Sequence, residues 1–272
     1  MVTEDTKVTA STATVQLDDG ETPSITQLNN IAAAAGVVTA SLAANSLANL
    51  GALTTASTDQ ITITVNDDAG DTLNATDLST LGGKTAATAT VSNAVVISGT
   101  QAQVTAALVT NETKVTAANA LVTVSDDAGV NLNAEDLSAI GGATVGTVTV
   151  TNAVNIVGTT AQVTAALVTD DTKVIASTAT VALDEGQTPT VSQLNDIADA
   201  TDGVVTATLA AAALADFGAL STESDDDITI TVNDGEGDDL NAETLSALGG
   251  KTAGTVTPVS YTHLRAHETR CN

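Results

Sequence analysis

The chain repeats itself, and repeats limit the fold strongly because each unit must bury its apolar face against a neighbour. Residues 8–15 (VTASTATV) recur as residues 174–181 (VIASTATV). A second pair of copies lies closer together, since residues 103–110 (QVTAALVT) reappear as residues 162–169. The sequence therefore predicts a stack of similar units.

A shorter period lies beneath these long repeats, in segments that begin 24 to 33 residues apart. In each segment apolar residues alternate with Thr or Ser, as in residues 61–65 (ITITV). Alternation with period two indicates a strand with one buried and one wet face, and β-branched residues favour strands. We predict strands that begin near Ala13, Val37, Ile61, Ala87, Ala120, Gly146, Ala179, Val204, Ile228 and Gly254.

Short helices are predicted between the strands. Residues 74–83 (NATDLSTLGG) begin with Asn, which favours the N-cap, and end with glycines, which suit a C-cap. Leu78 and Leu81 form one apolar stripe of this segment. The same design recurs at residues 133–142 and 241–250, and residues 161–167 and 102–108 supply the helices of the longer repeat units.

One strand and one crossover in each of these intervals favour parallel pairing of neighbouring strands. The predicted fold class is α/β: a solenoid of repeated strand–short helix coils, with a parallel sheet on one wall and helices on the other. Its core must be aliphatic, because Phe217 and Tyr261 are the only aromatic residues. Tandem β-sandwich repeats, with the helical segments as loops, remain the alternative.

Residues 1–257 are predicted to form one strand–helix repeat array that is truncated at both ends. Residues 1–8 (MVTEDTKV) match residues 167–174 (LVTDDTKV), which places Met1 at an interior helix position. A genuine terminal repeat is atypical because it must cap an open core edge. Neither end of this chain has that character, so we expect a segment of a longer protein.

The last residues, 258–272, depart from the repeat pattern. Every Arg, His, Cys and Tyr of the chain lies between Tyr261 and Cys271. Residues 259–269 (VSYTHLRAHET) resemble translated sequencing-adapter read-through, so we predict a disordered tail foreign to the fold. His263, His267 and Cys271 make a poor zinc site, because they are only three ligands in a terminal tail.

The charge balance excludes whole classes of partner. The formal net charge is −26, from 33 acidic residues against seven Lys and Arg. Nucleic acids and anionic membrane surfaces both require a cationic footprint, so neither is an expected partner. No run of about 18 apolar residues occurs, and membrane insertion is not expected. Because salt screens self-repulsion, a salty or calcium-containing exterior suits this chain.

Two phrases carry a family resemblance: residues 241–252 (NAETLSALGGKT) and residues 161–169 (AQVTAALVT). They resemble repeats of very large secreted and cell-surface proteins of marine bacteria, such as giant cyanobacterial surface, motility or adhesin-like proteins. The resemblance covers about residues 1–257 and implies an extracellular or cell-surface location. It also implies a surface, adhesive or motility-associated role. Stacked coils without an active site independently predict a structural stalk or spacer, with adhesive contacts along the strand wall. The expected partners are neighbouring repeats of the parent chain and extracellular glycan or protein.

No catalytic motif is present, and the chain is predicted not to be an enzyme. Before the tail there is no His, Cys, Arg or Tyr, which removes most general bases and nucleophile partners. Gly-Gly-Lys-Thr occurs at residues 82–85 and 249–252 without the earlier glycine of a phosphate loop. We predict instead that Lys84 and Lys251 complement the dipole at the C-terminus of their own helices.

Carboxylates are the remaining chemical resource, and most follow a strand in a turn-like sequence such as residues 66–70 (NDDAG). Turn formation is the favoured interpretation, because Asp, Asn and Gly initiate turns. The alternative is calcium held by carboxylates stacked on successive coils, which would make the chain a calcium-dependent module for binding glycan or protein. No other cofactor is expected. The calcium candidates are Asp67, Asp68, Asp126, Asp127, Asp234 and Asp238.

Overall fold

The computed structural model describes residues 10–110, 114–172, 174–235 and 239–259. Within these ranges it is an α/β structure of short strands and short helices, as predicted. The strands are β1 Ala10–Gln16, β2 Ala35–Ser41, β3 Gln60–Val65, β4 Thr72–Asn74, β5 Ala89–Val91, β6 Val96–Gly99, β7 Val115–Thr116, β8 Leu121–Val124, β9 Asn131–Asn133, β10 Val148–Val150, β11 Asn155–Gly158, β12 Val174–Ile175, β13 Thr180–Leu183, β14 Val205–Thr208, β15 Asp227–Val232 and β16 Val256–Pro258. The helices are α1 Ile25–Ala34, α2 Leu47–Leu50, α3 Ala75–Gly82, α4 Gln101–Leu108, α5 Ala134–Gly142, α6 Thr160–Leu167, α7 Val191–Ala198 and α8 Ala242–Gly249, with a 3-10 helix at Leu214–Phe217.

The strands of the described ranges form three sheets. Their orders are β1-β2-β3-β5-β7, then β4-β6-β8-β10-β12, then β9-β11-β13-β14-β15-β16. Every pair among these strands is parallel. Parallel pairing confirms the expected crossovers and excludes tandem antiparallel sandwiches. The expectation of a single sheet on one wall was wrong.

Each strand pairs with a strand about one strand–helix unit later in the sequence, and such a unit is called a coil below. Thr39 lies opposite Gln60, and Ile63 lies opposite Ala89. The intervening chain carries a helix, which supplies the crossover that parallel pairing requires. Neighbouring coils are therefore joined directly by backbone hydrogen bonds.

The three sheets are staggered along the chain, so that a new sheet begins while the previous one still continues. Strand β8 belongs to the second sheet, but the chain runs from it into β9, the first strand of the third sheet. Sequence-equivalent strands consequently lie in successive sheets, since β5 is in the first and β10 in the second. The longest intervals between predicted strands, such as that from Ala87 to Ala120, contain two further strands, here β6 and β7.

The strands bury one face against an aliphatic core, as the alternation predicts. In β3, Ile61, Ile63 and Val65 are fully buried, whereas Thr62 is exposed. All ten predicted strands are present, and each begins within three residues of its predicted start. Phe217 is the only aromatic side chain in the described part of the core.

The predicted helices are present and begin at hydrogen-bonded caps. The Asn74 side chain accepts a hydrogen bond from the Thr76 N–H at the start of α3. The predicted C-cap glycines act differently from expectation. Gly83 has φ −69° and Gly250 has φ −77°, so neither adopts the left-handed conformation that favours glycine at a C-cap.

Helices α1 and α7 were not predicted, although the sequence contains a signal for both. Each begins with a capping box, in which Ser24 pairs with Gln27 and Thr190 with Gln193. The hydroxyl accepts the backbone N–H of the Gln, whose side chain accepts the N–H of the cap residue. The pattern Ser/Thr-x-x-Gln is thus present at both helix starts.

Of the predicted tail, residues 258 and 259 fall within the described ranges, and Pro258 ends β16. Residues 260–272 and residues 1–9 lie outside them. The predictions of a foreign tail and of truncated ends therefore stay predictions.

Candidate functional site

Three of the six calcium candidates occupy equivalent positions, two residues after the end of a strand. Asp67, Asp126 and Asp234 are half-buried, and each accepts a hydrogen bond from the first backbone N–H of a helix in the preceding coil. The distances are 2.7 Å from Leu47 N to Asp67 Oδ2, 2.6 Å from Gln101 N to Asp126 Oδ2 and 3.0 Å from Leu214 N to Asp234 Oδ2. A carboxylate at a helix N-terminus satisfies an orphan donor and complements the dipole.

Two further candidates, Asp68 and Asp127, are exposed at the corners of tight turns. The Asp71 N–H donates to the Asp68 carbonyl at 3.0 Å, and Gly70 between them has φ +90°. A turn of this kind needs a positive φ at its third position, which explains the glycine of the Asn-Asp-Asp-Ala-Gly sequence. The turn interpretation is confirmed here. Asp238 lies outside the described residues.

The acidic turns do not stack on one another in successive coils. The turn at residues 66–71 is hydrogen-bonded to the Asn-Ala turn of the next coil, because Gly70 N–H donates to the Ala94 carbonyl at 2.9 Å. Asn93 Nδ2 also donates to the Asp67 carbonyl at 2.7 Å. The turn at residues 125–130 repeats this arrangement with Asn152 and Ala153. Each of these two acidic turns therefore has an amide-bearing turn as its neighbour.

Within the parts of the chain that the structure describes, no three His, Cys, Asp or Glu side chains are grouped closely enough to hold a metal ion. The candidates of neighbouring repeats are therefore not brought together into one site. Asp67 and Asp126 also lie at junctions between different pairs of sheets, since β3 leads to β4 and β8 leads to β9. Calcium binding stays a hypothesis.

We expect calcium to stabilise this chain no more than magnesium does, because the half-buried carboxylates already bind backbone N–H groups. The measurement is thermal unfolding of the full chain, followed by circular dichroism, in about 5 mM of either ion, a concentration above the dissociation constants of about 0.1–1 mM that are typical of extracellular calcium modules. A calcium-specific rise in the midpoint that Asp68→Asn or Asp127→Asn removes would instead support the calcium-dependent module.

The lysines of the two Gly-Gly-Lys-Thr sequences reach into the preceding coil. Lys84 Nζ donates to the Leu53 carbonyl and, at 3.4 Å, to the Gly51 carbonyl, both just after α2. Lys251 Nζ donates to the Leu220 carbonyl, which follows the 3-10 helix. Both ammonium groups thus bind carbonyls of the segment that follows a neighbouring helix, and the predicted effect on the dipoles of their own helices stays a prediction.

The threonines of the same sequences join adjacent coils. Thr85 Oγ1 accepts the Ile61 N–H at 2.9 Å and donates to the Ile61 carbonyl at 2.7 Å. Thr252 does the same with Ile228, at 2.8 and 2.9 Å. Both threonines are buried. The lysine and threonine side chains of the Gly-Gly-Lys-Thr sequence therefore join adjacent coils by hydrogen bonds.

Two buried carboxylates that the sequence analysis did not single out each lie immediately before a strand, one before β3 and the other before β15. Asp59, 4% exposed, accepts hydrogen bonds from Val38 N and Ala56 N, both at 2.8 Å. Asp226, also 4% exposed, accepts from Val205 N at 2.7 Å and Glu223 N at 2.9 Å. The available signal was an Asp at the same position of both long repeats.

A groove lies on the helix side, where α2 has only four residues and leaves room beside α3. Its volume is about 520 Å³, and a smaller counterpart of about 80 Å³ lies between the 3-10 helix and α8. Apolar side chains form much of both floors, with Asp67, Asp77 and Lys84 at the larger one. The apolar floor residues include Leu47, Leu73 and Leu81 in the larger groove, and Leu214, Phe217 and Leu248 in the smaller one.

Among the described residues, no helix combines the length and the apolar character that crossing a bilayer requires. The polar groups characterised above bind backbone amides and carbonyls of the same chain, either within their own turn or in a neighbouring coil. The chain has no significant match to any protein-family model, any curated protein or any solved structure.

Proposed function

We propose that residues 1–257 form an α/β solenoid that serves as a structural stalk or spacer segment of a large extracellular surface protein. The observation that carries this proposal is the parallel pairing of each strand with a strand one coil later in the sequence. In an array of this kind each unit contacts only its neighbours, so that units add length without a specialised centre.

The repetition of coil-to-coil hydrogen bonds at equivalent positions supports the same proposal. Thr85 and Thr252, Lys84 and Lys251, and Asp59 and Asp226 form matched pairs with matched backbone partners. Side-chain bonds of this kind fix the position of one coil on the next, in addition to the strand ladder. A spacer needs such contacts because its length is useful only if it is stiff.

The exposed strand face further favours a spacer over a ligand-binding module. Thr62, Thr64 and Thr90 lie on the outer face of the first sheet, where Thr62 and Thr90 are exposed and Thr64 is half-buried, and the exposed Thr88 immediately precedes β5. Binding hot spots are rich in Trp, Tyr and Arg. The chain before residue 258 has none of these three residue types, and its one aromatic residue, Phe217, is buried. A hydroxyl-rich face of this kind is well hydrated, and adhesive contacts along it would be weak and distributed.

A length measurement tests the spacer. We expect insertion of a second copy of residues 93–151 after Thr151 to lengthen the molecule by about 10 Å, because the inserted segment contains two coils and each coil adds about 4.8 Å along the strand-pairing direction. Small-angle X-ray scattering of the full chain and of the insertion variant gives the two maximum dimensions.

A variant with the inserted residues in shuffled order controls for added mass. An increase of about 25 Å or more would mean that the insert forms a separate body, and no increase would mean that it packs beside the array. Either outcome would contradict the solenoid.

A further inference from the structure

Helix α8 exposes apolar residues that an equivalent helix buries. Residues 241–250 (NAETLSALGG) match residues 133–142 (NAEDLSAIGG) in α5. Ala134 and Leu137 of α5 are 0% exposed, whereas Ala242 is exposed and Leu245 is only half-buried. The two helices differ in their covering, because the next coil packs over α5, whereas the described residues after α8 provide only β16.

The coil that covers α5 consists of β11 and α6, and it fits through two specific contacts. A Cβ atom on Gly158 would lie 3.1 Å from the Ala134 Cβ, so glycine allows the two chains to approach closely. Gln162 Nε2 donates to Glu135 Oε2 at 2.8 Å. The preceding pair of coils repeats the first contact, with a Cβ atom on Gly99 at 3.0 Å from the Ala75 Cβ.

Helix α8 has equivalents of both residues that α5 contributes to these contacts. Ala242 corresponds to Ala134, and Glu243 corresponds to Glu135. Leu245 corresponds to Leu137, which the covering coil helps to bury. Strand β16 likewise corresponds to β10, which pairs on one side with β8 and on the other with β12.

We infer that the outer face of α8 and β16 is a docking surface for one further coil of the sequence type of residues 151–175. The inference rests on the proposed stacking of coils and specifies its next unit. That unit carries glycine opposite Ala242, a glutamine within reach of Glu243 and an apolar helix face over Leu245. Continuity with the α5–α6 interface identifies the occupant.

The test inserts a second copy of residues 150–175 after Thr257 of the full chain, which continues the register because Thr257 corresponds to Thr149. Amide hydrogen exchange of residues 242–249 is then compared with that of the original chain. We expect the inserted coil to slow this exchange at least about tenfold, since exposed ends open locally and covered elements do not.

Ala242→Leu provides the matched control. Ala242 is exposed, so this substitution should leave the exchange of the original chain unchanged, yet it should abolish the added protection because leucine cannot fit opposite the inserted glycine. Equal protection with Ala242 and with leucine, or no protection at all, would overturn the inference. An original chain that sediments as a dimer with α8 already protected would overturn it in favour of a second copy. If the insertion of residues 93–151 lengthens the molecule while α8 stays unprotected, the spacer stands and only this docking surface fails.

Discussion

Replacing Asp226 with alanine should lower the free energy of unfolding by about 3 kcal/mol, because two buried backbone N–H groups would lose their acceptor. The carboxylate is 4% exposed and accepts from Val205 N at 2.7 Å and from Glu223 N at 2.9 Å. One bond reaches the preceding coil and the other closes the turn before β15. The substitution therefore weakens the attachment between coils as well as the local turn.

Asp225→Ala is the matched control for this prediction. Asp225 is the adjacent residue, it is exposed, and its loss changes the net charge by the same amount. Its effect should stay within about 0.5 kcal/mol. Asp226→Asn should fall between the two, since its amide keeps one acceptor oxygen. Urea unfolding of the full chain measures all three, and equal losses for Asp225→Ala and Asp226→Ala would show that charge rather than hydrogen bonding matters.

Much of the local structure follows from short-range patterns in the sequence. Residues 61–65 alternate Ile or Val with Thr, and the sheet buries the aliphatic residues because side chains point to alternate faces of a strand. Asn74 caps α3 because a short polar side chain before a helix can accept a backbone N–H. Such patterns depend on neighbours within a few residues, so one sequence suffices to predict them.

The stagger of the three sheets was not predictable in the same way. Residues 89–91 and 148–150 occupy equivalent repeat positions, yet β5 lies in the first sheet and β10 in the second. Their sheets differ because β5 pairs with β3 of the first sheet and β10 pairs with β8 of the second, and that pairing depends on how whole coils stack. Periodicity predicts that a segment is a strand, but it does not determine its long-range partner.

In the candidate site, too, short sequence patterns predict some features, whereas others depend on how the coils stack. The acidic turns were predicted as turns, and Gly70 at φ +90° confirms the local chemistry. The roles of Asp67 and Asp126 were not predicted, because their partners are the backbone N–H groups of Leu47 and Gln101 in the preceding coil. A backbone donor has no residue signature, so only the stacking of coils shows that these carboxylates cap helices.

The two glycines that end α5 should respond to alanine in opposite directions. A Cβ atom on Gly141 would lie 2.1 Å from the Thr172 carbonyl oxygen and 2.7 Å from its carbon. Both are backbone atoms of the adjoining turn, so the two segments must separate to accept a methyl group. We expect Gly141→Ala to lower the free energy of unfolding by about 3 kcal/mol, as overpacking a close contact does.

Gly142→Ala places the same methyl group one residue later, where its nearest neighbour is the Thr172 Cγ2 at 3.8 Å. That distance is an ordinary contact, and alanine favours the helix over glycine by up to about 1 kcal/mol, so this variant should be slightly more stable than the original chain. Because both substitutions lie at the end of one helix, helix propensity affects them in the same direction. Urea unfolding that showed stabilisation by both would mean that α5 does not pack against the turn after α6, and the close stacking of neighbouring coils would then be wrong at this interface.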